Sequence, residues 1–268
     1  MFARYCRRSG NCRVTSFEHD PLFRDQLLEQ LERAELQDVA KVHLAPLVMR
    51  KVGEQLLPVY HIDETVVIEP AQIILIDGPP SKLGGRQGTL YLAMNWSEPG
   101  TVVLLDDAER DDESASLKSW KDEFGDVIEV SRPKGLSRGI ASIVVNEPVR
   151  MNHVWDHRVA RAVGEMCSIV PPESSLILVD DDAWNLGAQV SGRQRFHLTG
   201  AGGVYNGPPA DSSAALAEIE QRRHQGAEFL AVGWPAFWWL DQYPELADYL
   251  SETATQVFES ARVVVYRL

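Results

Sequence analysis

The sequence has few cysteines, no long apolar run and a deficit of positive charge. Its three cysteines are Cys6, Cys12 and Cys167, and their spacing matches no metal-ligand pattern. A sparse, odd set is typical of a reducing compartment, so we expect no disulfide framework. No apolar stretch has the length of a membrane span, and residues 1–8 lack the apolar core of a signal peptide. These absences predict a cytoplasmic protein without a membrane partner.

The charge balance narrows the class of partner. With 39 acidic against 26 basic side chains, the net charge is −13. Nucleic-acid binding needs a basic surface that neutralises phosphates, so this balance argues against a nucleic-acid partner. The hydrophobic content of 44% and charged content of 24% are ordinary for a globular protein. A chain of 268 residues can hold one large domain or two modest ones.

The most informative stretch is residues 72–80, QIILIDGPP. The run Ile73–Ile76 is short, apolar and rich in β-branched side chains, which predicts a strand buried on both faces of a parallel sheet. The Gly-Pro-Pro that follows ends the strand. Asp77 is thereby placed at the carboxyl end of a buried strand, the edge at which open α/β sheets bind ligands.

Two further strands deliver acids in the same way. Residues 102–107, VVLLDD, end in Asp106 and Asp107, and residues 14–20, VTSFEHD, deliver Glu18. Because the carboxyl ends of parallel strands meet at one edge of a sheet, these acids predict a single site.

Strands and helices alternate through the first half of the chain, which finishes in two strands, 127–130 and 140–145, joined by a loop too short for a helix. This order predicts a doubly wound α/β sheet. Residues 47–70 predict only an irregular pair of short strands, around 59–61 and 66–68. We place a domain boundary near residue 147, which gives domains 1–147 and 148–268, the second a smaller α/β unit.

The acids suit two kinds of chemistry. A carboxylate at the end of a strand accepts hydrogen bonds from the vicinal hydroxyls of a ribose, which is the role that Glu18 is placed to take. Mg²⁺ prefers carboxylate and water oxygens, and Asp77, Asp106 and Asp107 are placed to converge on one ion. Such an ion would orient a substrate hydroxyl and make it a better nucleophile.

Four motifs in order resemble those of a class I S-adenosylmethionine-dependent methyltransferase. They are RVTSFEHD, HLAPL, IILIDGPP and VVLLDDAER, at residues 13–20, 43–47, 73–80 and 102–110. The resemblance covers residues 1–146 and is nearest to the bacterial catechol and macrocin O-methyltransferase branch. It implies a Rossmann-like sheet, S-adenosylmethionine as donor and a hydroxyl of a small molecule or sugar as acceptor.

The resemblance also assigns residues. It puts the ribose-binding acid on Glu18, the adenine-contacting position on Ala45 and the metal-binding acids of the Mg²⁺-dependent members on Asp77, Asp106 and Asp107. Asp77 would face both donor and acceptor. A catalytic lysine after the fourth strand has Lys82 as its candidate, at a different offset from the family's.

The family's first strand and its glycine-rich loop have no counterpart in the sequence. The resemblance therefore implies a methyltransferase sheet that lacks its first, central strand. A start codon assigned too late, a truncation with lost catalysis, and a rearranged sheet are the three explanations. An unfilled sheet position favours a homodimer.

The second half resembles an accessory domain found beside bacterial glycosyltransferases and methyltransferases. The resemblance rests on three stretches, at residues 203–205, 227–230 and 238–244. It implies a role in tailoring a glycan or natural product. A glycan-assembly enzyme is the partner that this resemblance favours.

Several of these features also have purely structural explanations. Asp107 suits a helix N-cap as well as a metal ligand. The acids at positions 109 and 111–113 suit a solvated helix face, and those at 180–182 suit a loop or cap. Residues 200–203, Gly-Ala-Gly-Gly, suit a flexible loop better than a phosphate loop, because the fingerprint spacing is absent. The tryptophans at 234, 238 and 239 suit core or interface packing better than sugar stacking.

Two functions therefore compete. The first is a methyltransferase acting on a hydroxyl, with or without Mg²⁺. The second is a catalytically inactive methyltransferase-fold module that scaffolds glycan assembly through its tryptophan-rich second half.

Overall fold

The chain folds as a mixed α/β protein in a computed structural model that describes residues 1–133, 139–198 and 205–268. It divides into two compact units, Met1–Trp155 and Asp156–Leu268. The stretch 200–203, discussed above as a loop, lies outside the described residues. No helix among the described residues has the length and apolar character needed to cross a membrane.

The helices and strands follow one another along both units. The α-helices are α1 (Phe2–Ser9), α2 (Pro21–Arg33), α3 (Gln87–Ala93), α4 (Asp111–Phe124), α5 (Val154–Ile169), α6 (Ser212–His224), α7 (Trp238–Gln242) and α8 (Pro244–Thr253). The strands of the first unit are β1 (Val14–Glu18), β2 (Ala40–Leu44), β3 (Leu47–Val52), β4 (Gln55–Tyr60), β5 (Ile73–Ile76), β6 (Val102–Asp106), β7 (Ile128–Ser131) and β8 (Ile140–Val145). The strands of the second unit are β9 (Ser175–Val179), β10 (Gln189–Val190), β11 (Arg193–His197), β12 (Phe229–Gly233), β13 (Thr255–Glu259) and β14 (Val263–Arg267).

The first unit contains a four-stranded sheet in the order β5-β6-β8-β7. Strands β5 and β6 are parallel, and β8 runs antiparallel to both β6 and β7. Strands β1 and β2 form a separate parallel pair, and β3 and β4 form an antiparallel hairpin. Within the described residues, β1 and β5 each pair with a neighbour on one side only.

Strand β5 is more exposed than its apolar sequence predicts. Ile76 is buried, whereas Ile73 and Leu75 are 57% and 47% exposed. Alternate side chains of a strand point to opposite faces, and only the face of Ile74 and Ile76 packs on the core of the first unit. The prediction of a strand buried on both faces is therefore wrong.

The region 47–70 is also more regular than predicted. It forms the hairpin of β3 and β4, and residues 66–68 are not a strand. The hairpin packs on α3 and on the turn before it, at positions that leave no room for a side chain. A Cβ added to Gly88 of α3 would lie 2.3 Å from the Pro58 carbonyl oxygen, and one added to Gly84 of the turn would lie 2.5 Å from Pro58 Cγ. The glycines after β5 therefore make room for the hairpin.

Helix α2 begins at Asp20-Pro21, a pair that in the sequence predicts an N-cap followed by the first helical position. Asp20 is its N-cap and accepts hydrogen bonds from the backbone N–H groups of Leu22 and Phe23, and Pro21 occupies the first turn. The apolar spacing over residues 246–258 predicts one helix, but α8 ends at Thr253 and residues 255–259 form β13.

The second unit is built on a six-stranded sheet in the order β10-β11-β9-β12-β14-β13. The central strands β11, β9 and β12 are parallel, and β14 is antiparallel to β12. Its core includes Ile177, Leu230, Trp239 and Leu246, all of them buried.

The cysteines differ from the expectation. Cys6 on α1 and Cys12 in the turn before β1 form a disulfide, and Cys167 is free. The expectation of unpaired cysteines is wrong for this pair, because the left-handed turn at Gly10 brings the two positions to a Cα separation of 4.9 Å.

Candidate functional site

Three predicted acids meet at the carboxyl edge of the four-stranded sheet. Asp77 follows β5, Asp106 ends β6 and Asp107 comes next in the chain. One carboxylate oxygen from each lies within 4.8 Å of those of the other two. The side chain of Asp77 is 65% exposed, whereas that of Asp107 is buried. The parallel register of β5 and β6 produces this cluster, because it ends both strands at the same edge.

A buried arginine, which the sequence analysis did not identify, lies among these acids. Arg86 is only 5% exposed. Its Nη2 donates to Asp77 Oδ1 at 3.1 Å and to Asp107 Oδ2 at 3.2 Å. It also donates to the main-chain carbonyls of Asp77 and Asp106. The guanidinium therefore ties together the ends of β5 and β6.

Two more charges complete the cluster. Glu113 on α4 is 1% exposed, and its Oε1 lies 3.6 Å from Arg86 Nη1. Arg110 Nη2 lies 2.9 Å from Asp107 Oδ2. The expectation of a solvated face is wrong for Glu113. The N-cap alternative for Asp107 is wrong as well, because α4 begins at Asp111 with residue 110 in the N-cap position.

The surroundings of Asp77 change its acidity. Partial burial raises the pKa of its carboxyl above the ordinary value, Arg86 works in the opposite direction, and the neighbouring Asp106 and Asp107 raise it further. The carboxyl of Asp77 is therefore a stronger base than a free aspartate.

Tyr60 lies over the same edge. It ends β4, and its pKa is raised to about 12 by burial and by the negative charge of Glu18, with Arg86 lowering it and Asp77 raising it. A Cβ added to Gly78 would lie 2.6 Å from Tyr60 Oη. The hairpin thus places a neutral hydroxyl beside Gly78, within the electrostatic influence of the acid that ends β1 and the acid that follows β5.

The remaining predicted residues are distributed as follows. Glu18 ends β1, and its Oε1 accepts the main-chain N–H of Asp20 and lies 3.0 Å from His19 Nδ1. The buried Ala45 donates its N–H to the Glu18 carbonyl oxygen at 2.8 Å. Lys82 lies in a short 3₁₀ turn and is exposed, and within the described residues it makes no ion pair with the acids.

The second unit has its own polar cluster at the carboxyl end of β9. Asp181 adopts a left-handed backbone conformation, φ 52°, and its carboxylate accepts three hydrogen bonds. The donors are Tyr205 Oη at 2.8 Å, Trp238 Nε1 at 2.8 Å and Trp239 Nε1 at 3.0 Å. Asp181 therefore orients both indoles. The acids at 180–182 lie in a turn, in agreement with the loop-or-cap explanation given for them above.

The tryptophans of this cluster divide between core and surface. Trp239 is 1% exposed and belongs to the core, whereas Trp238 is 39% exposed.

Asp180 is buried and accepts the N–H groups of residues 182 and 184. Burial raises the pKa of its carboxyl, against the influence of those hydrogen bonds and of Arg195.

Comparison with known proteins assigns no family. No family model matches the sequence, and no curated protein matches it. Seven solved chains match. One is a Clostridium thermocellum protein provisionally described as an rRNA methylase, with 13% identity and a TM-score of 0.35, covering 50% of this chain and 73% of that one. A likeness of this degree defines neither a family nor an activity.

Proposed function

We propose that the first unit transfers a methyl group from S-adenosylmethionine to a hydroxyl of a small molecule or sugar. The observation that carries the proposal is the proximity of Tyr60 to both Glu18 and Asp77, three residues that lie at the carboxyl ends of strands in three separate sheets. The antiparallel β8 between β6 and β7 is also the finish that the family resemblance implies.

The residues present fit the ribose end of the donor. Glu18 is partly exposed at the end of β1, and its carboxylate is held by the N–H of Asp20. A fixed carboxylate of this kind accepts hydrogen bonds from vicinal hydroxyls. When bound, the donor supplies an electrophilic methyl group on a positively charged sulfur.

Asp77 is the base in this proposal. It takes the proton of the acceptor hydroxyl while the new carbon–oxygen bond forms and the carbon–sulfur bond breaks, which leaves the sulfur neutral. Its raised pKa favours the proton transfer, and its exposed carboxylate can reach a bound hydroxyl. The pKa of Tyr60 is raised to about 12, so its hydroxyl keeps the proton and can donate it in a hydrogen bond to the acceptor.

The acid cluster does not fit a Mg²⁺ ion held by three aspartates. Asp77 and Asp107 each direct a carboxylate oxygen at Arg86, and Asp107 also pairs with Arg110. A second cation among these oxygens would face the guanidinium at short range. No step of the proposed reaction therefore uses a metal ion.

Among the described residues, β1 and β5 each have one edge that pairs with no other strand, and these edges bear on where the methyl donor binds. In the family, the first strand and its glycine-rich loop lie between these two strands. Within the described residues, the exposed Ile73 and Leu75 leave one face of β5 uncovered beside its unpaired edge. We propose that the donor's methionine end is held there.

Calorimetric titration with S-adenosylmethionine and with its demethylated product tests the donor site. We expect heat from both ligands, and a loss of affinity of roughly tenfold or more in Glu18→Gln, because the ribose loses a charged acceptor. Glu29→Gln, an exposed helix position, is the control. Absence of heat at millimolar ligand would rule out an active enzyme in this chain.

Methyl transfer itself is tested with labelled donor on a panel of catechols and sugars. We expect Asp77→Asn to lower kcat by roughly a hundredfold or more, the range for loss of a general base, with donor affinity retained. A variant with full activity would show that Asp77 is not the base.

The scaffold hypothesis is favoured by one observation, the 39% exposure of Trp238 in the second unit. It predicts no donor binding and a glycan-assembly partner held through Trp238. Because Trp239 lies in the core, only Trp238→Ala is a usable test. Retention of a purified partner enzyme by this variant would contradict the scaffold hypothesis.

A further inference from the structure

The acid cluster of the first unit contains its own cation. The Arg86 guanidinium lies among four carboxylates, those of Asp77, Asp106, Asp107 and Glu113. It hydrogen bonds to two of them and is 3.6 Å from a third. A buried charge persists only where it is paired, and here the guanidinium and the carboxylates pair each other.

The same guanidinium also organises the backbone. It donates to the main-chain carbonyls of Asp77 and Asp106, the residues at the ends of β5 and β6. A metal ion held only by the three carboxylates would leave these two carbonyls without their donor. Arg86 therefore combines charge neutralisation with fixing of the strand ends, which its planar array of N–H groups permits.

The cluster holds more negative than positive charges. Four carboxylates face two guanidinium groups, those of Arg86 and Arg110. Asp107 pairs with both arginines, whereas Asp77 and Glu113 pair with Arg86. Asp77 and Asp106 are the less buried acids, so water screens the negative charge that the two arginines leave.

We propose that Arg86 takes the place of a divalent cation at this site, and that it positions Asp77 for the reaction. The first part stands on the geometry alone. The second part rests on the proposed function, in which Asp77 is the base.

Metal binding is tested with MnCl₂, by the loss of the free Mn²⁺ electron paramagnetic resonance signal. Wild-type protein is expected to leave the signal unchanged at millimolar Mn²⁺. Arg86→Met removes the charge but keeps an apolar stem, and it is expected to bind Mn²⁺ about tenfold more tightly or better, because the acids have lost their cation. Arg86→Lys keeps the charge and is expected to behave as wild type.

Wild-type binding of Mn²⁺ at micromolar concentration that disappears in Asp106→Asn would overturn the proposal. If Arg86→Met does not fold, the wild-type and Arg86→Lys measurements decide, since a metal site in either contradicts the replacement of the metal by an arginine. These measurements need no methyl donor, so their outcome is independent of the proposed function.

The positioning role is tested by kinetics in the presence of EDTA. Wild-type turnover is expected to be unchanged by the chelator. Arg86→Lys is expected to lower kcat at least about tenfold with an unchanged KM for the donor. One ammonium cannot reproduce the contacts that the two terminal nitrogens of Arg86 make to Asp77, to Asp107 and to the Asp106 carbonyl. Loss of wild-type turnover in EDTA, or full turnover of Arg86→Lys, would overturn this part. Absence of any turnover in the wild type would instead contradict the proposed function.

Discussion

Tyr60 and Gly78 fit together at the sheet edge of the first unit. The tyrosine hydroxyl occupies the space in which a side chain at position 78 would begin. The contact is made by the tip of an aromatic ring rather than by backbone, so the ring can move away at modest cost. A glycine at this position leaves the space that the tyrosine hydroxyl occupies next to Asp77.

A double-mutant cycle tests this fit. Gly78→Ala is expected to lower the free energy of unfolding by about 1–2 kcal/mol, the range for overpacking. In a Tyr60→Phe background the cost is expected to disappear, because the nearest ring carbon is then 3.9 Å from the new Cβ. Urea unfolding of the four proteins gives the coupling, and an equal cost in both backgrounds would contradict the contact.

Asp181 holds two indoles and a phenol in the second unit. Asp181→Asn preserves the left-handed backbone, which asparagine tolerates, but it turns an amide donor toward an indole N–H. The variant is expected to lose about 1–3 kcal/mol of stability. Asp182→Asn is the matched control, because that residue is exposed and has a similar φ of 56°. Equal stability of both variants by urea unfolding would refute the bracing role of Asp181.

His197 makes the second unit sensitive to acid. Burial lowers the pKa of its imidazole below 6.5, and Arg195 and Arg222 lower it further, against the influence of Asp182. With its pKa lower in the folded state, the unfolded chain binds more protons, so stability falls as the pH drops below the ordinary value. His197→Gln is expected to weaken this dependence, measured as free energies of unfolding at pH 7.5 and 5.5. His224→Gln, at an exposed position, is expected to leave it unchanged, and an unchanged slope in His197→Gln would contradict the assignment.

At the scale of elements, the sequence located most strands and helices but not their lengths or their exposure. Periodicity and turn residues identified β1, β5, β6 and α2, because local preferences decide such elements. The apolar spacing over residues 255–259 suits a helix as well as a strand, and pairing with β14 decides for the strand β13.

The hairpin of β3 and β4 gives a prediction at this scale. Gly88→Ala is expected to lower the free energy of unfolding by about 1–3 kcal/mol, because the new Cβ meets the carbonyl oxygen of Pro58, which is backbone and cannot rotate away. The control is Gly164→Ala in the interior of α5, where a Cβ added to the glycine would meet no atom within 4 Å outside the backbone of its own helix. That change is expected to raise stability by about 0.5–1 kcal/mol. A neutral Gly88→Ala in thermal or urea unfolding would place the hairpin elsewhere.

At the scale of the whole molecule, the disulfide between Cys6 and Cys12 can be tested by counting free thiols. The protein denatured without reductant is expected to expose one reactive thiol per chain, that of Cys167, and three after reduction. Thiol titration with a chromogenic reagent measures both numbers. Three thiols before reduction would show that Cys6 and Cys12 are not paired, and Cys12→Ser, which should leave two, is the control.

The sequence by itself determined the α/β class, the delivery of acids to strand ends and the N-cap of α2. These features depend on neighbouring residues, through apolar runs, turn formers and capping side chains. Only the tertiary structure decided which acids stay buried and what neutralises them. Arg86 is nine residues from Asp77 and twenty-one from Asp107, and nothing in their spacing marks them as partners, because their meeting depends on the packing of α3 and α4 against the sheet.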